Sequence, residues 1–230
     1  KVNPDSFSFA VFGDVHYTLA DHPTMARFRR EVTERGIDFF CVLGDLTHDG
    51  TSAQMARARA VLDSIGVPYY VTLGNHDLFQ ADAWPSYKAV FGPGCYSVVI
   101  AGRLKLIFLD TAEGRLGSRQ FEWLEQELAA ENYITFVGTH FPLYDGAVPS
   151  IYRLASGPER AKLQHLLQKN KVWAIASGHI HGWRCTEVEG VRHFITGTMQ
   201  TDETRLDFGR LGYLLVTFAH DSLSWQRVDY

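Results

Sequence analysis

Two histidines stand one residue apart in the segment SGHIHGW, at positions 179 and 181, directly after the apolar run KVWAIA. The run predicts a buried strand, and an extended backbone beyond it would point both imidazoles in the same direction. Neutral imidazole is a common metal ligand, so His179 and His181 are candidates for gripping a metal ion. The alternative is two polar residues in a turn, and the rest of the chain has to distinguish the two.

A residue type that binds metals follows not one predicted strand but five. The segments are GDVHY from residue 13, GDLTHDG from 44, GNHD from 74, THFPLY from 139 and GHIHGW from 178. Ligands of open α/β sheets bind beyond the carboxyl ends of the strands, and glycine lets the backbone turn sharply and approach a ligand closely. Five such ends in one sheet indicate a common site rather than a solvated rim.

The donors that these strand ends supply are all nitrogen or oxygen atoms. They belong to Asp14, His16, Asp45, Asn75, His140, His179 and His181. Seven donors exceed the four of a tetrahedral zinc site, and they suit two ions about 3.5–4 Å apart that share a bridging carboxylate. The absence of cysteine from the set argues against a purely structural zinc site and favours hard or borderline ions.

The elements that must position these residues alternate between strand and helix in the first half of the chain. Predicted strands cover residues 7–13, 38–44, 67–74, 95–101, 103–110, 133–139, 172–178, 182–188, 191–196, 211–218 and 222–228. Predicted helices cover residues 23–36, 51–64, 118–130 and 156–169. The alternation predicts an α/β fold with helices outside a layered sheet. Consecutive strands near 95–109 and 182–228 predict two packed, mixed sheets, and no linker is visible, so residues 1–230 are expected to form one domain.

Composition excludes several classes of protein. The 230 residues carry a formal net charge of -4, so the chain has no basic footprint for a long nucleic acid. No apolar run approaches the roughly 18 residues of a membrane span. The three cysteines do not suggest a disulfide framework. The sequence begins at Lys1, which leaves a mature or trimmed form open, and a cytoplasmic or an exported location fits equally well.

Taken together, the motifs D-x-H, GD, GNHD, H and GH-x-H resemble those of the calcineurin-like metallophosphoesterase superfamily, in the same order, from residue 14 to residue 181. The resemblance implies a four-layer α/β/β/α sandwich with two mixed β-sheets. It also implies that one metal is held by Asp14, His16, Asp45 and His181, and the second by Asp45, Asn75, His140 and His179. Asp45 would bridge the two ions, which would be Mn, Fe or Zn.

The resemblance gives the GNHD motif a catalytic part. His76 would be the acid that faces the substrate, and Asp77 would orient its imidazole, as carboxylates do for many histidines. The alternatives are a structural turn for His76 and a helix N-cap for Asp77.

Five further residues are candidates for the surroundings of the phosphate. His48 stands where the purple acid phosphatase branch has a tyrosine ligand, which argues against that branch. His48 would lie near the phosphate without binding a metal, or it would belong to a surface turn. Tyr144, Tyr152 and Arg153 belong to the long segment 141–157, which would line a substrate pocket or pack as a surface loop. Tyr17, next to His16, has the same two alternatives.

Within the superfamily, the segments GDLTHDG, IGVPYYVTLGNHD and DTAEGRLGSRQFEWLEQEL look most like the class III cyclic-nucleotide phosphodiesterase branch. The expected activity is hydrolysis of a small phosphodiester by a monomer or homodimer. A phosphomonoesterase and a nuclease are the alternatives, and the acidic charge balance stands against the nuclease. A non-catalytic scaffold of the same fold is a fourth hypothesis, and the intact motif set argues against it.

Overall fold

The computed structural model describes residues 2–20, 23–129, 133–144, 152–200 and 211–230. Its strands are β1 (Ser6–Phe12), β2 (Phe39–Leu43), β3 (Tyr69–Thr72), β4 (Tyr96–Ile100), β5 (Leu104–Phe108), β6 (Ile134–Thr139), β7 (Ala174–Ser177), β8 (Arg184–Val188), β9 (Val191–Ile195), β10 (Gly212–Ala219) and β11 (Ser222–Asp229). Its α-helices are α1 (Pro23–Arg35), α2 (Ser52–Ser64), α3 (Ala83–Phe91), α4 (Ser118–Leu128) and α5 (Gly157–Lys169), and a short 3₁₀ helix covers His76–Leu78. Each predicted strand is present within these residues.

The strands form two mixed sheets. The first sheet has the order β11-β10-β1-β2-β3, in which β1, β2 and β3 run parallel and β10 pairs antiparallel with β1. The second sheet has the order β4-β5-β6-β7-β9-β8, with four parallel central strands and an antiparallel strand at each edge. Because parallel strands end at the same edge of a sheet, the residues after β1, β2 and β3 are brought together, as are those after β6 and β7.

Three apolar clusters separate the layers. Alternate residues of β1 face opposite sides: Phe9 and Val11 enter a cluster between the two sheets, whereas Ala10 and Phe12 pack against α1, α2 and α3. A third cluster joins the outer face of the second sheet to α4 and α5. The layers are therefore helix, sheet, sheet, helix, which confirms the predicted four-layer α/β/β/α sandwich.

One helix was missed by the sequence prediction. Helix α3 contains Pro85 at its third residue, and an interior proline normally argues against a helix. Proline is tolerated in the first turn, however, where the backbone N–H groups have no intrahelical partner. Gly92, with a φ of 90°, follows the last residue as a helix-terminating glycine does. These two signals together mark the helix.

Side-chain caps mark the start of two helices. The Thr51 hydroxyl accepts a hydrogen bond from the backbone N–H of Gln54 at the start of α2, and Ser156 does the same for Glu159 at the start of α5. The last residue of the helix predicted over 118–130 lies outside the described residues, as does the stretch 145–151 of the long loop. No helix among the described residues combines the length and the apolar character that crossing a membrane requires.

Candidate metal centre

The two sheets contribute different residues to one cluster. From the first sheet come Asp14 and His16 after β1, Asp45 after β2, and Asn75 and His76 after β3; from the second come His140 after β6, and His179 and His181 after β7. The backbone N–H of His179 donates to the Asp14 carboxylate at 2.9 Å, so the sheets are joined at this point. The cluster thus lies where the carboxyl ends of both sets of parallel strands meet.

The ligand-type atoms fall into two groups. One group contains Asp14, His16 and His181, the other contains Asp45, His140 and His179, and within each group the atoms lie within 4.8 Å of one another. In the first group the Nε2 atoms of His16 and His181 are 3.1 Å apart. In the second group Nδ1 of His179 is 3.2 Å from Nε2 of His140. Each group therefore converges on one small volume, as the ligands of a single ion do.

Asp45 lies between the two groups. Its Oδ2 atom is 3.5 Å from Nε2 of His16, in the first group, and 3.4 Å from Nε2 of His140, in the second. Its other oxygen accepts the backbone N–H of His76 at 2.8 Å. The Asn75 side-chain oxygen lies 3.0 Å from Nε2 of His140, on the side of the second group. One carboxylate oxygen is thus shared between two sets of donors.

Burial and mutual charge shift the pKa values of the cluster. Burial raises the pKa of Asp14 to about 8, and the charge of Asp45 adds to the effect. Burial also acts on Asp45, but the nearby imidazoles of His140 and His16 outweigh it and hold the pKa of Asp45 below its usual range. Burial and the charge of His140 lower the pKa of His179 to about 3. Two carboxylates this close and this buried are stabilised as anions by positive charge beside them.

Two histidines of the cluster have a ring nitrogen committed to a neighbouring group. Nδ1 of His140 donates to the Leu43 carbonyl at 2.8 Å, which fixes the tautomer with Nε2 as the nitrogen that faces the cluster. Burial works against protonation of His140, but the adjacent Asp45 carboxylate prevails and raises its pKa to about 9. Nδ1 of His76 lies 2.8 Å from the carbonyl oxygen of His48.

The backbone at these residues is unusual. Asp14, His16, Asp45, His179 and His181 all have φ between 50° and 70°, the left-handed region that few residues other than glycine adopt. The expectation of an extended backbone at His179 and His181 is therefore wrong: both follow the end of β7 in left-handed turns. The two imidazoles consequently enter different groups, His179 with Asp45 and His181 with Asp14. Backbone strain of this kind gathers at functional sites.

Glycines admit this packing. A Cβ atom at Gly74 would lie 2.1 Å from the backbone nitrogen and Oδ1 of Asp45, and one at Gly44 would lie 2.5 Å from Nδ1 of His140. Gly44 has a φ of 81°, whereas Gly74 is required for close approach alone. Gly74 of the GNHD motif therefore leaves room for the Asp45 carboxylate, and Gly44 of the GD motif leaves room for the His140 imidazole.

Asp77 has a different role from the one predicted. Its buried carboxylate accepts hydrogen bonds from the backbone N–H groups of Leu46, Thr47 and Gly74 and from the Thr47 hydroxyl, at 2.8–3.2 Å. The imidazole of His76 is instead oriented by the carbonyl of His48. Asp77 therefore ties the loop after β2 to the loop after β3, and the prediction that it orients His76 directly is corrected, as is the N-cap alternative.

The structure separates the remaining candidates. The rings of His16, His48 and His76 come together, with ligand-type atoms within 4.8 Å of one another, so His48 lies at the cluster and not in a remote turn. Tyr17 is fully buried in the core under α1 and α2, which places its ring in the interior and away from solvent. Its backbone pairs with Leu46 and His48 and holds the two ligand loops side by side.

The long segment after β6 places one expected and one unexpected aromatic ring beside His179. The ring of Tyr144 packs against His193, which is not one of the predicted metal ligands, with centroids 5.1 Å apart. The ring centroid of Tyr152 lies 6.0 Å from that of His179. The ring centroid of Phe141, a residue that the sequence analysis did not single out, lies 3.9 Å from that of His179. Arg153 is partly buried beside Tyr152. Phe141 was detectable only as the neighbour of His140 in the THF segment.

The residues fit a pair of cations. The donor set is carboxylate, imidazole and amide, which suits Mn, Fe or Zn. The three ligand-type atoms of each group converge, and buried Asp14 and Asp45 stand close together with histidines on both sides. A bound cation would supply the positive charge that this arrangement calls for.

A family model of calcineurin-like phosphoesterases matches residues 7–183, which contain all five motifs. The chain belongs to this family. The prediction of the family from the motif series is confirmed.

Curated relatives agree with the predicted branch. The calcineurin-like chain is 28% identical over 167 residues to a probable cyclic nucleotide phosphodiesterase of Synechococcus sp., a match that covers 69% of this chain and 64% of the relative. It is 25% identical over 169 residues to a probable cyclic nucleotide phosphodiesterase of Fibrobacter succinogenes, covering 72% of this chain and 66% of that one. The matched part is thus just under two thirds of each relative's length.

Among solved structures, a dimetal phosphatase from Danio rerio is similar over 96% of this chain and 95% of its own, with a TM-score of 0.78 and 14% identity. At that identity the likeness concerns the fold. It agrees with the two-sheet sandwich described above.

Proposed function

We propose that this calcineurin-like phosphoesterase is a two-metal-dependent hydrolase of small phosphodiesters. The observation that carries the proposal is the position of Asp45 Oδ2, 3.5 Å from a nitrogen of one donor group and 3.4 Å from a nitrogen of the other. A carboxylate oxygen shared in this way is the bridging ligand that a two-metal site needs. Residues 1–230 would act as one phosphoesterase domain.

The ligands divide as the motif series implies. Asp14, His16 and His181 would hold one ion, and His140, His179 and Asn75 would hold the other, with Asp45 common to both. When bound, the two cations would neutralise the phosphate oxygens and supply an activated water at neutral pH. The protein's own residues fix the rest of the reaction geometry.

His76 is proposed as the general acid. Its Nδ1 is engaged with the His48 carbonyl, and Nε2 would carry the proton to the departing oxygen. The ring of His16 lies 4.5 Å from this imidazole, and the ring of Phe79 lies 4.3 Å from it, measured between centroids. Asp77 ties the loop of His76 to the loop of Asp45, which fixes the position of the proposed acid relative to the bridging carboxylate. His48 supports His76 through its main chain.

A small phosphodiester is preferred over the other substrate classes for two reasons. The relatives named above are probable cyclic nucleotide phosphodiesterases. The net charge of -4 gives no attraction for a long polyanion, which disfavours a nuclease. A scaffold without activity would not need Asp14 and Asp45 buried together with His140, because burying carboxylates is costly unless they are compensated.

The test is hydrolysis of bis-p-nitrophenyl phosphate beside p-nitrophenyl phosphate, with manganese added to protein stripped by a chelator. We expect metal-dependent release of p-nitrophenolate, faster from the diester. Faster hydrolysis of the monoester would make the protein a phosphomonoesterase. Hydrolysis of neither substrate with Mn, Fe or Zn would contradict the proposal.

A further inference from the structure

Phe79 is an exposed aromatic residue whose ring lies beside the proposed general acid. Its side chain is 56% exposed, and its ring lies 4.3 Å from the His76 imidazole at an angle of 39°. The preceding residue, Leu78, packs against the core under α3. An exposed phenylalanine ring gains little from burial, so the position of Phe79 beside His76 requires another explanation.

The backbone that carries Phe79 is held firmly. The N–H of Leu78 donates to the Asn75 carbonyl at 3.2 Å, and the N–H of Phe79 donates to the His76 carbonyl at 3.4 Å. The Gln80 side-chain amide then donates to the Asp49 carbonyl at 3.0 Å, which ties the segment to the loop after β2. The ring is thus presented from a fixed turn, and a fixed ring binds a partner at less conformational cost than a mobile one.

The place of Phe79 follows from the place of the general acid. A general acid must come within hydrogen-bond reach of the leaving oxygen, so the group attached to that oxygen has to pass close to His76. The ring of Phe79 adjoins the imidazole and offers an accessible apolar π face. Such a face binds planar groups by stacking and has little to offer a short polyol.

We propose that Phe79 is a specificity-determining residue, whose ring stacks on a planar part of the leaving side of the substrate, such as a nucleobase or an aryl ring. The proposal rests on the phosphodiesterase function proposed above and names the class of diester that the site selects. Removing the ring should cost roughly 5- to 100-fold in kcat/KM on such a diester, the range that aromatic–base stacking gives.

The test compares two diesters that both release an alkoxide, so that both need the proton from His76. One is adenosine 3′,5′-cyclic phosphate, which has a planar base, and the other is glycerophosphocholine, which has none. In Phe79→Leu we expect kcat/KM to fall about tenfold or more on the first and to stay within about twofold on the second. Phe79→Tyr should retain the wild-type ratio. Equal losses on both diesters would mean that Phe79 only positions His76, and would overturn the proposal.

A binding measurement separates this proposal from the proposed function. Calorimetry with adenosine monophosphate and ribose 5-phosphate should show that Phe79→Leu weakens binding of the nucleotide about tenfold or more and leaves the affinity for ribose 5-phosphate unchanged. Unchanged nucleotide affinity overturns the stacking role even in an active enzyme, whereas wild-type protein that hydrolyses neither diester contradicts the function instead. Trp84→Leu is the matched control, because Trp84 is 43% exposed on α3 and packs against Tyr87. In this variant the ratio of kcat/KM between the two diesters and the ratio of affinity between the two ligands should both stay at wild-type values.

Discussion

The two sheets make unequal contributions to the candidate metal centre. The first sheet supplies both carboxylates, Asp14 and Asp45, together with the amide of Asn75, whereas the second supplies only imidazoles. Each donor group nevertheless draws on both sheets, since His181 joins Asp14 and His140 joins Asp45. The first sheet therefore carries the negative charge that would attract cations, and the second carries imidazoles that would complete each set.

This division has a consequence for stability. The sheets already meet through an apolar cluster that includes Leu43 and Phe136. Two bound cations would add links between the same two layers at the edge where the strands end. The metals would thus act both in the reaction and in holding one sheet against the other.

The largest effect is expected from Asp45→Asn. Asparagine keeps an oxygen for the His76 N–H but loses the negative charge shared by both donor groups, so metal content and activity should fall together. The loss should exceed about 100-fold, the upper range for residues that only support a ligand. Metal analysis and diester hydrolysis measure it.

Asp110→Asn is the matched control for Asp45→Asn. Asp110 also follows a strand, β5 of the second sheet, but its carboxylate accepts the backbone N–H of Ala112 at 3.1 Å and belongs to neither donor group. It should keep both metals. Equal metal loss in the two variants would contradict the view that the first sheet supplies the charge.

His76→Ala should separate chemistry from metal binding within the first sheet. Loss of a general acid costs about 10²–10⁴-fold, and the effect should be large for an alkyl diester, whose alkoxide needs a proton. It should be smaller for bis-p-nitrophenyl phosphate, whose phenolate leaves without one. Metal content should stay near that of wild type, and a variant that loses metal would make His76 a ligand.

Removing the metals should loosen the contact between the sheets. With free metal at about 100 times its dissociation constant, binding to one site stabilises the native state by about 2.7 kcal/mol. For a chain of this length that corresponds to roughly 5–10 °C in Tm. Thermal unfolding before and after chelation measures the shift, and Asp45→Asn should show little of it. An unchanged Tm in wild type would mean that the metals do not link the layers.

The smallest effect concerns a histidine of the second sheet that lies outside the donor groups. Burial lowers the pKa of His193, on β9, to about 4, whereas an unfolded chain protonates histidine near 6.5. The unfolded state therefore binds more protons between these values, and stability falls as the pH drops from about 6.5 to about 4. His193→Phe should reduce this pH dependence by about 1–3 kcal/mol of unfolding free energy.

Denaturant unfolding at pH 7 and at pH 4.5 measures the difference. His165→Gln serves as the control, because His165 is exposed on α5. An identical pH dependence in His193→Phe and wild type would show that the buried ring does not contribute.

The sequence predicted the metal-centre candidates because they lie next to strand ends, where topology alone brings residues together. Asp14, Asp45 and His140 needed only strand recognition and the rule for carboxyl ends. The role of Asp77 could not be predicted, since its partners Leu46 and Thr47 lie in another loop, 30 or more residues earlier. Contacts between loops depend on tertiary geometry that no local pattern carries.

Local patterns also failed where the backbone is exceptional. An extended chain through His179 and His181 is the ordinary expectation, but both residues adopt the left-handed conformation, with φ of 70° and 56°. Helix α3 was not predicted, and the first-turn position of its Pro85 is clear only once the helix start is known. Phe79 gave no sequence signal, because its significance comes from the ring beside it.

The most direct test of the shared carboxylate is a crystal structure of the manganese-loaded protein with anomalous diffraction measured at the manganese edge. The account predicts two anomalous peaks about 3.5–4 Å apart, one beside His16 and His181 and one beside His140 and His179, with Asp45 bound to both. A single ion, or a pair of ions of which Asp45 contacts only one, would contradict it.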